Sequence, residues 1–331
     1  MYESDFGIRK NPFGTSPDPT ALYVTETHRE ALAGLLYTVM RRRGFCTLIG
    51  EAGTGKSTLI GRLLTIVPAE TVELCVISNP TLSPAEFLEF LMMKLNIRNI
   101  PPSKAKRLTL LEACLAKKDK EGKIPVLVID EAHTLSREVL EEIRLLGNFE
   151  TSEYKLIQII LAGQPELDAI FSRPELRQFK QRISTRLKLA ALDRRLVHDY
   201  IQHRWANAGG DGPAPFEHAA IDLIAYASNG ILRVVNSLCD NCLLIASKAT
   251  PRKVTPAHVD EVAHDLDLDL ERPTATAAVT RTFDPNYNQA KQASAMKELA
   301  EPQNEFTKFQ SYMPSRLKSL FFIRWAARVK A

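Results

Sequence analysis

The sequence predicts an α/β fold: a mainly parallel five-stranded sheet with helices on both faces, followed by a small all-helical domain. Two observations favour this architecture. From Phe45 to Leu192, short apolar runs rich in β-branched residues alternate with longer amphipathic runs, which is typical of parallel strands covered on both faces. After Leu192 the strand-like runs stop, and helical patterns separated by Gly and Pro turns take their place.

The elements can be assigned in chain order. The predicted strands are FCTLIG, TVELCVIS, IPVLVID, YKLIQIILAG and ISTRLKLAAL. A Gly-rich turn and the helix KSTLIGRLLTIV come directly after the first strand, and Ser83 with Pro84 predicts the start of a helix after the second. The helical domain contains the patterns DRRLVHDYIQHRWANAG, FEHAAIDLIAYASN, ILRVVNSLCDNCLLIASK and TPAHVDEVAHDL. The last pattern has Thr255 as its N-cap and Pro256 at its first position.

The chain of 331 residues is long enough for about two domains. We assign residues 1–192 to the α/β domain, in which residues 1–44 form an N-terminal arm and helix. Residues 193–268 form the helical domain. The periodicity is lost beyond it, so residues 269–331 are assigned to a linker and a basic amphipathic tail.

The composition excludes some classes of protein and leaves others open. The 43 basic and 39 acidic residues give a net charge of +4, which permits contact with nucleic acid or anionic lipid without requiring it. Five cysteines in a long chain argue against a disulfide framework. Cys239 and Cys242 fall on the apolar stripe of a helical pattern, with no second pair to complete a zinc site, and are expected to be buried thiols. No run has the length of a signal peptide core or a membrane span, so the sequence predicts a cytoplasmic protein.

The turn after the first strand matches the phosphate-binding pattern G-x-x-x-x-G-K-[ST]. Its glycines let backbone N–H groups surround a phosphate chain, and the N-terminus of the next helix adds positive potential. Lys56 is expected to reach the β- and γ-phosphates of ATP, and the Ser57 hydroxyl to bind Mg²⁺. The predicted nucleotide-binding residues of this segment are Gly50, Glu51, Ala52, Gly53, Thr54, Gly55, Lys56, Ser57 and Thr58.

The third strand ends in the stretch IDEAH, which supplies two adjacent carboxylates. Asp130 is the predicted second ligand of Mg²⁺, and Glu131 is the predicted base that polarises the attacking water. One strand lies between the phosphate loop and this strand along the chain. That order suits the P-loop proteins with an extra strand between the two motif strands, and it favours ATP hydrolysis. For His133 two interpretations stay open: a relay of nucleotide state to the next helix, or an ordinary loop histidine.

The letters DEAH also occur in a helicase superfamily, but its Ser-Ala-Thr and arginine-rich motifs are missing from this sequence. The segments between this stretch and residue 268 instead resemble the AAA+ ATPases. The resemblance implies that Gln164, at the end of the fourth strand, senses the γ-phosphate, and that Arg233 in the helical lid is a second sensor that binds nucleotide. It places the arginine finger at Arg182, with Arg177 as the runner-up. Cations from several directions suit the charge that develops on the γ-phosphoryl group, while surface ion pairing is the alternative for Arg182 and Arg233.

The flanking segments are similar to the general secretion pathway protein A type of AAA+ ATPase over residues 1–268. The similar stretches are the opening MYESDFGIRKNPFG, the helix around HREAL, VLVIDEAHTLSREVLEEIRLLGNFET, LIQIILAGQPEL and LRQFKQRI. The resemblance implies a homo-oligomer with an arginine finger acting in trans, which uses Mg²⁺-dependent ATP hydrolysis to remodel a secretion or polysaccharide-export partner. Related transposon target-selection ATPases offer an alternative, a nucleotide-switched clamp on duplex DNA, which the run Arg41–Arg43 would permit. A scaffold with negligible hydrolysis is a third interpretation.

Two further expectations come from this resemblance. The N-terminal arm would place Pro12 and Phe13 beside the adenine, with His28 nearby; the alternative is an arm that packs on the core. The similar proteins usually continue into a membrane span and a peptidoglycan-binding domain, whereas this sequence ends in PSRLKSLFFIRWAARVKA. That tail is too short to span a bilayer, and it is expected to lie on the inner-membrane surface, to dock on a partner or to fray.

Overall fold

Five parallel strands form one sheet in the computed structural model, which describes residues 2–14, 23–78 and 81–268. The strands are β1 Phe45–Gly50, β2 Val72–Ile77, β3 Ile124–Ile129, β4 Gln158–Gly163 and β5 Ile183–Leu189. Their order across the sheet is β2-β3-β4-β1-β5, and each neighbouring pair is parallel. The predicted fold class is confirmed, and β4 is the extra strand between the two motif strands β1 and β3.

The burial of the strands follows from their place in the sheet. Every residue of β1, β3 and β4 is buried, because helices cover both faces of the sheet centre. The edge strand β5 alternates between exposed and half-buried residues until its last position. The helices of this part of the chain are α1 Glu3–Phe6, α2 Glu26–Met40, α3 Lys56–Ile66, α4 Pro84–Lys94, α5 Lys104–Lys120, α6 Arg137–Leu146, α7 Glu166–Phe171 and α8 Arg177–Arg182.

Local sequence signals set several of the helix starts. Ser83 and Glu86 form a reciprocal capping box at α4, with Pro84 in the first turn, as the sequence predicts. The Ser136 side chain accepts from the backbone N–H of Val139 and caps α6 directly after the IDEAH turn. The chain is therefore helical again within a few residues of the predicted catalytic carboxylates.

The helical lid contains α9 Arg194–Asn207, α10 His218–Ala227, α11 Leu232–Ala246 and α12 Pro256–Asp265. Thr255 and Pro256 begin α12 as predicted. The buried faces of these helices form one apolar cluster, in which Cys239 and Cys242 are fully buried. Burial raises the pKa of the Cys242 thiol to about 12, and the described residues contain no cluster of three or more His, Cys, Asp and Glu side chains that could hold a metal ion. These two cysteines are core thiols, as expected.

The N-terminal arm packs on the lid, which differs from its assignment to the α/β domain. Tyr2, Ile8, Phe13 and Tyr23 belong to the apolar cluster of the lid helices. The rings of Phe13 and Phe216 meet edge to face with centroids 6.2 Å apart, and those of Tyr23 and Tyr200 do so at 5.7 Å. The arm joins the lid because α9 and the Phe216 segment offer it an aromatic surface, while α2 packs against the sheet.

Residues 269–331, with the predicted linker and basic tail, lie outside the described part of the chain. Within that part, no helix combines the length and the apolar character needed to cross a bilayer.

Candidate nucleotide-binding site

The phosphate loop connects β1 to α3 and depends on two glycines with positive φ. Gly53 has φ +80° and Gly55 has φ +99°, a region that side-chain-bearing residues rarely adopt. Gly55 is also the N-cap of α3, so the loop leads directly into the helix N-terminus. Between them, the Thr54 hydroxyl donates to the Glu51 carbonyl at 2.8 Å and closes the turn. The sequence pattern thus produces the rounded backbone that phosphate binding requires.

Lys56 is the cation of this loop, and its side chain is folded over the loop itself. Its Nζ donates to the carbonyl oxygens of Gly50 at 2.7 Å and Glu51 at 2.9 Å. Burial lowers the pKa of Lys56, and the nearby carboxylates of Glu131 and Asp130 oppose that effect. The predicted phosphate-binding cation therefore lies within electrostatic range of both predicted catalytic carboxylates.

Ser57 and Asp130, the two predicted metal ligands, meet in the structure. The Ser57 hydroxyl donates to Asp130 Oδ2 at 2.7 Å, although the residues are 73 positions apart in the chain. A hydroxyl and a carboxylate oxygen are hard ligands that suit Mg²⁺, which usually takes its remaining ligands from water and phosphate. The residues present therefore fit the predicted ion.

The backbone at Glu131 is strained where β3 leads into the following turn. Glu131 has φ +53°, a left-handed conformation that is uncommon for a residue with a side chain. Asp130 Oδ1 accepts from the Glu131 N–H at 3.0 Å, and the Glu131 carbonyl accepts from the Thr134 hydroxyl at 2.9 Å. The Glu131 side chain is 45% exposed, so water can reach its carboxylate.

Gln164, the predicted sensor, contacts His133 just beyond the ends of β3 and β4. The Gln164 amide nitrogen lies 3.1 Å from His133 Nε2, and the Gln164 backbone N–H donates to His133 Nδ1 at 3.4 Å. His133 Nδ1 is also 3.4 Å from Glu131 Oε2. The structure therefore places His133, for which the sequence left two interpretations open, in contact with both the predicted base and the predicted sensor.

The lid closes over the phosphate loop at Arg233, the predicted second sensor. The Arg233 backbone N–H donates to the Gly53 carbonyl at 3.3 Å. A Cβ atom placed on Gly53 would lie 2.6 Å from Arg233 Cβ and 3.1 Å from Ile231 Cγ2. The Arg233 side chain is exposed, and its charge contributes to the lowered pKa of Lys56.

The predicted arginine finger lies apart from this group. Arg182 Nη1 donates to the Arg144 carbonyl at 2.8 Å and to Asn148 Oδ1 at 2.7 Å, both at the C-terminal end of α6. Arg177, the runner-up, is exposed at the start of α8. Both roles stay predictions.

Phe13 is not placed where it could contact adenine. Its side chain has no exposed surface and lies in the lid core against Phe216. Pro12 is also buried, and its carbonyl accepts from Arg204 Nε at 2.5 Å. A side chain without accessible surface cannot touch a ligand, so Phe13 is corrected from a nucleotide contact to a core residue. The alternative interpretation, an arm that packs on the core, is the one that fits.

His28 lies beneath the phosphate loop. Its Nδ1 is 2.6 Å from the Thr25 hydroxyl, and its Nε2 lies 3.3 Å from the position that a Cβ atom on Gly55 would take. The side chain is fully buried, and burial lowers the pKa of His28 while the Thr54 backbone opposes the effect. The resemblance placed His28 near the adenine and did not specify this contact with the phosphate loop.

Comparisons with known proteins found similar sequences. Residues 39–171 match the family described as "AAA domain". The chain is 37% identical over 267 residues to "General secretion pathway protein A" of Aeromonas hydrophila, covering 80% of this chain and 48% of the relative. It thus spans about half the length of that protein.

Two proteins of known structure have a similar fold. The ORC2 protein of Aeropyrum pernix superposes with a TM-score of 0.56 at 17% identity, covering 77% of this chain and 71% of ORC2. Cdc6p of Pyrobaculum aerophilum gives a TM-score of 0.58 at 19% identity, covering 77% and 70%. These likenesses show the fold.

Proposed function

The chain carries an AAA+ ATPase domain of the general secretion pathway protein A type, and from this premise we propose that it hydrolyses ATP with Mg²⁺. The observation that carries the proposal is the 2.7 Å hydrogen bond between Ser57 and Asp130. It joins the phosphate loop to the catalytic carboxylates and provides adjacent hard oxygen ligands. When bound there, Mg²⁺ neutralises phosphate oxygens and supports in-line attack.

Each residue of the site has a role that follows from its chemistry and position. The Lys56 ammonium group binds the β- and γ-phosphates once the loop surrounds them. Glu131 accepts a proton from the attacking water, for which its exposed carboxylate is suited. Gln164 donates its amide to the γ-phosphate, and Arg233 adds positive charge from the lid side. These roles make the lid part of the catalytic site.

The proposed biological partner rests on the similarity to a known protein and not on the geometry of the site. The relative's name indicates secretion, so the proposed partner is a component of a secretion or polysaccharide-export machinery in the envelope, with the ATPase on the cytoplasmic side. Within the run Arg41–Arg43, which the duplex-DNA alternative would use, Arg42 is already engaged inside the protein. Arg42 pairs with Asp119, donates to the Lys123 carbonyl at 3.0 Å and lies over the Tyr154 ring. Its guanidinium group is used within the protein.

ATP turnover by the full chain tests the proposal. We expect hydrolysis that is lost on chelation of Mg²⁺. Glu131→Gln should lower kcat by about 10²–10⁴-fold while ATP still binds, because general base catalysis is worth about that much. Lys56→Ala should abolish tight ATP binding. The matched control is Glu153→Gln, an exposed acid distant from the motifs in the sequence, which should turn over normally.

Three results would contradict this proposal. Undiminished ATP turnover by Glu131→Gln would show that Glu131 is not the general base. Normal ATP binding with negligible hydrolysis by the wild type would favour the scaffold interpretation. Stimulation by duplex DNA with a steep salt dependence would favour the DNA alternative over the secretion partner.

A further inference from the structure

His133 lies between the predicted base and the predicted sensor and contacts both. Its Nδ1 is 3.4 Å from Glu131 Oε2, and its Nε2 is 3.1 Å from the Gln164 amide nitrogen. The side chain is only 16% exposed, so these contacts are largely shielded from water. We propose that His133 is a positioning residue that orients the Glu131 carboxylate and couples it to Gln164. This inference rests on the proposed ATPase function and concerns the regulation of the same site.

The hydrogen-bonding capacity of a neutral imidazole fits this role. It has one N–H donor and one nitrogen acceptor. With its proton on Nδ1, His133 attracts Glu131 Oε2, which lies 3.4 Å away without a formed hydrogen bond, and Nε2 accepts from the Gln164 amide. With the proton on Nε2, Nδ1 accepts instead from the Gln164 backbone N–H at 3.4 Å, and the contact with Glu131 is lost. The ring thus has one tautomer that holds the base and one that releases it.

The backbone of the turn leaves the Glu131 side chain to be oriented by His133. The Glu131 N–H is held by Asp130 Oδ1 at 3.0 Å, and its carbonyl accepts from the Thr134 N–H at 3.0 Å. The Glu131 side chain is nearly half exposed. Among the described contacts, the one to its carboxylate comes from the His133 ring. A reacting group displaced by about 1 Å can lose about 10²-fold in rate, so this one contact can affect kcat strongly.

The coupling follows from the shared ring. When the Gln164 amide turns to a γ-phosphate oxygen, His133 Nε2 loses its donor, and the balance between the two tautomers changes. The orientation of Glu131 therefore depends on whether the sensor is engaged. The purely structural alternative is that His133 only packs the turn Ala132–Thr134 against Gly163, whose added Cβ would lie 3.3 Å from the His133 backbone nitrogen.

Steady-state kinetics of the full chain separate these roles. His133→Ala is expected to lower kcat at least about tenfold while the KM for ATP stays within about twofold. His133→Gln, whose amide can donate and accept at a similar reach, should recover most of the lost kcat. In a double-mutant cycle, adding His133→Ala to Gln164→Ala should cost much less than His133→Ala alone, because the two residues act as one unit. His264→Ala, an exposed histidine on α12, is the matched control and should leave kcat unchanged.

Measuring Glu131→Gln in parallel distinguishes a failure of the positioning role of His133 from a failure of the proposed ATPase function. If Glu131→Gln is inactive but His133→Ala turns over like the wild type, the positioning role is wrong and the ATPase proposal stands. If both His133 variants lose activity equally and both unfold at lower temperature, the role is structural and the inference is overturned. If Glu131→Gln itself retains full activity, the proposed catalytic function is contradicted, and the positioning role of His133 that rests on it is contradicted with it.

Discussion

At the residue scale, Gly53 satisfies two requirements that alanine would violate. Its φ of +80° lies in the left-handed region, and an added Cβ would lie 2.6 Å from Arg233 Cβ. We predict that Gly53→Ala displaces the lid from the phosphate loop and weakens ATP binding at least about tenfold, since a loss of about 1.4 kcal/mol corresponds to that factor. Isothermal titration with ATP measures the change.

Gly122 provides the matched control for this substitution. It has φ +73° but open space around its Cβ position, so Gly122→Ala carries only the backbone strain of about 1 kcal/mol. Both variants should lose some thermal stability, and only Gly53→Ala should lose ATP affinity. Equal ATP affinities for the two variants would show that the contact between lid and loop does not contribute to binding.

The predicted catalytic motifs could be identified from the sequence because each one is local. Lys56 and Ser57 follow from one loop pattern, and Asp130 and Glu131 from two acids after a buried strand. The burial of Phe13 and the contact between His133 and Gln164 could not be predicted. Both depend on which surfaces meet in the folded chain, and the second requires knowing that β3 and β4 are neighbours.

At the scale of elements, the N-terminal arm joins the lid to the sheet. Asn11 Nδ2 donates to Asp240 at 2.9 Å, Tyr2 donates to the same carboxylate, and the Arg9 N–H donates to the Ala208 carbonyl at 2.8 Å. The helix α2 then packs against β1 and β5 of the sheet. Periodicity identified the strands and the lid helices correctly. It could not assign the arm, because apolar arm residues do not indicate which surface they will cover.

The interface between arm and lid should weaken in acid because of His203. Burial, and secondarily the charge of Arg204, lowers the pKa of His203 to about 4, and its ring lies 5.3 Å from the Tyr23 ring. The unfolded chain binds this proton near pH 6.5 and the folded chain only near pH 4. The stabilisation is therefore complete above pH 6.5 and is lost as the pH falls to 4, by about 3 kcal/mol.

Thermal unfolding between pH 7 and pH 4 measures this loss. His203→Gln should reduce the dependence of the melting temperature on pH, because glutamine does not titrate. Some dependence should remain, since burial also lowers the pKa of His28 and His198. The exposed His264→Gln is the control and should melt like the wild type at every pH. If His203→Gln keeps the full dependence, the acid-sensitive group lies elsewhere.

At the scale of the whole molecule, Arg182 is the residue that would make the site depend on a second copy of the chain. Its guanidinium group is held by the Arg144 carbonyl and Asn148 at the end of α6, and not by the phosphate site of its own chain. An arginine finger acting in trans would be placed in this way. We predict that Arg182→Ala lowers kcat by at least about 10³-fold with ATP affinity retained, as for other arginine fingers. Arg177→Ala, the runner-up exposed on the same short helix, is measured in parallel, and a loss of activity there instead would assign the finger to Arg177.

Mixing two inactive variants tests whether this action crosses a subunit interface. Arg182→Ala subunits keep Glu131, and Glu131→Gln subunits keep Arg182. An interface at which the first provides the nucleotide site and the second provides the arginine therefore has one complete site. In a closed ring assembled at random from equal amounts, about a quarter of the interfaces meet this condition, so about a quarter of the wild-type rate should return. The recovered rate should fall on dilution as the oligomer dissociates. A mixture no more active than its components would show that Arg182 does not act on a neighbouring subunit. Its hydrogen bonds to α6 would then be structural, and a monomer would suffice for catalysis.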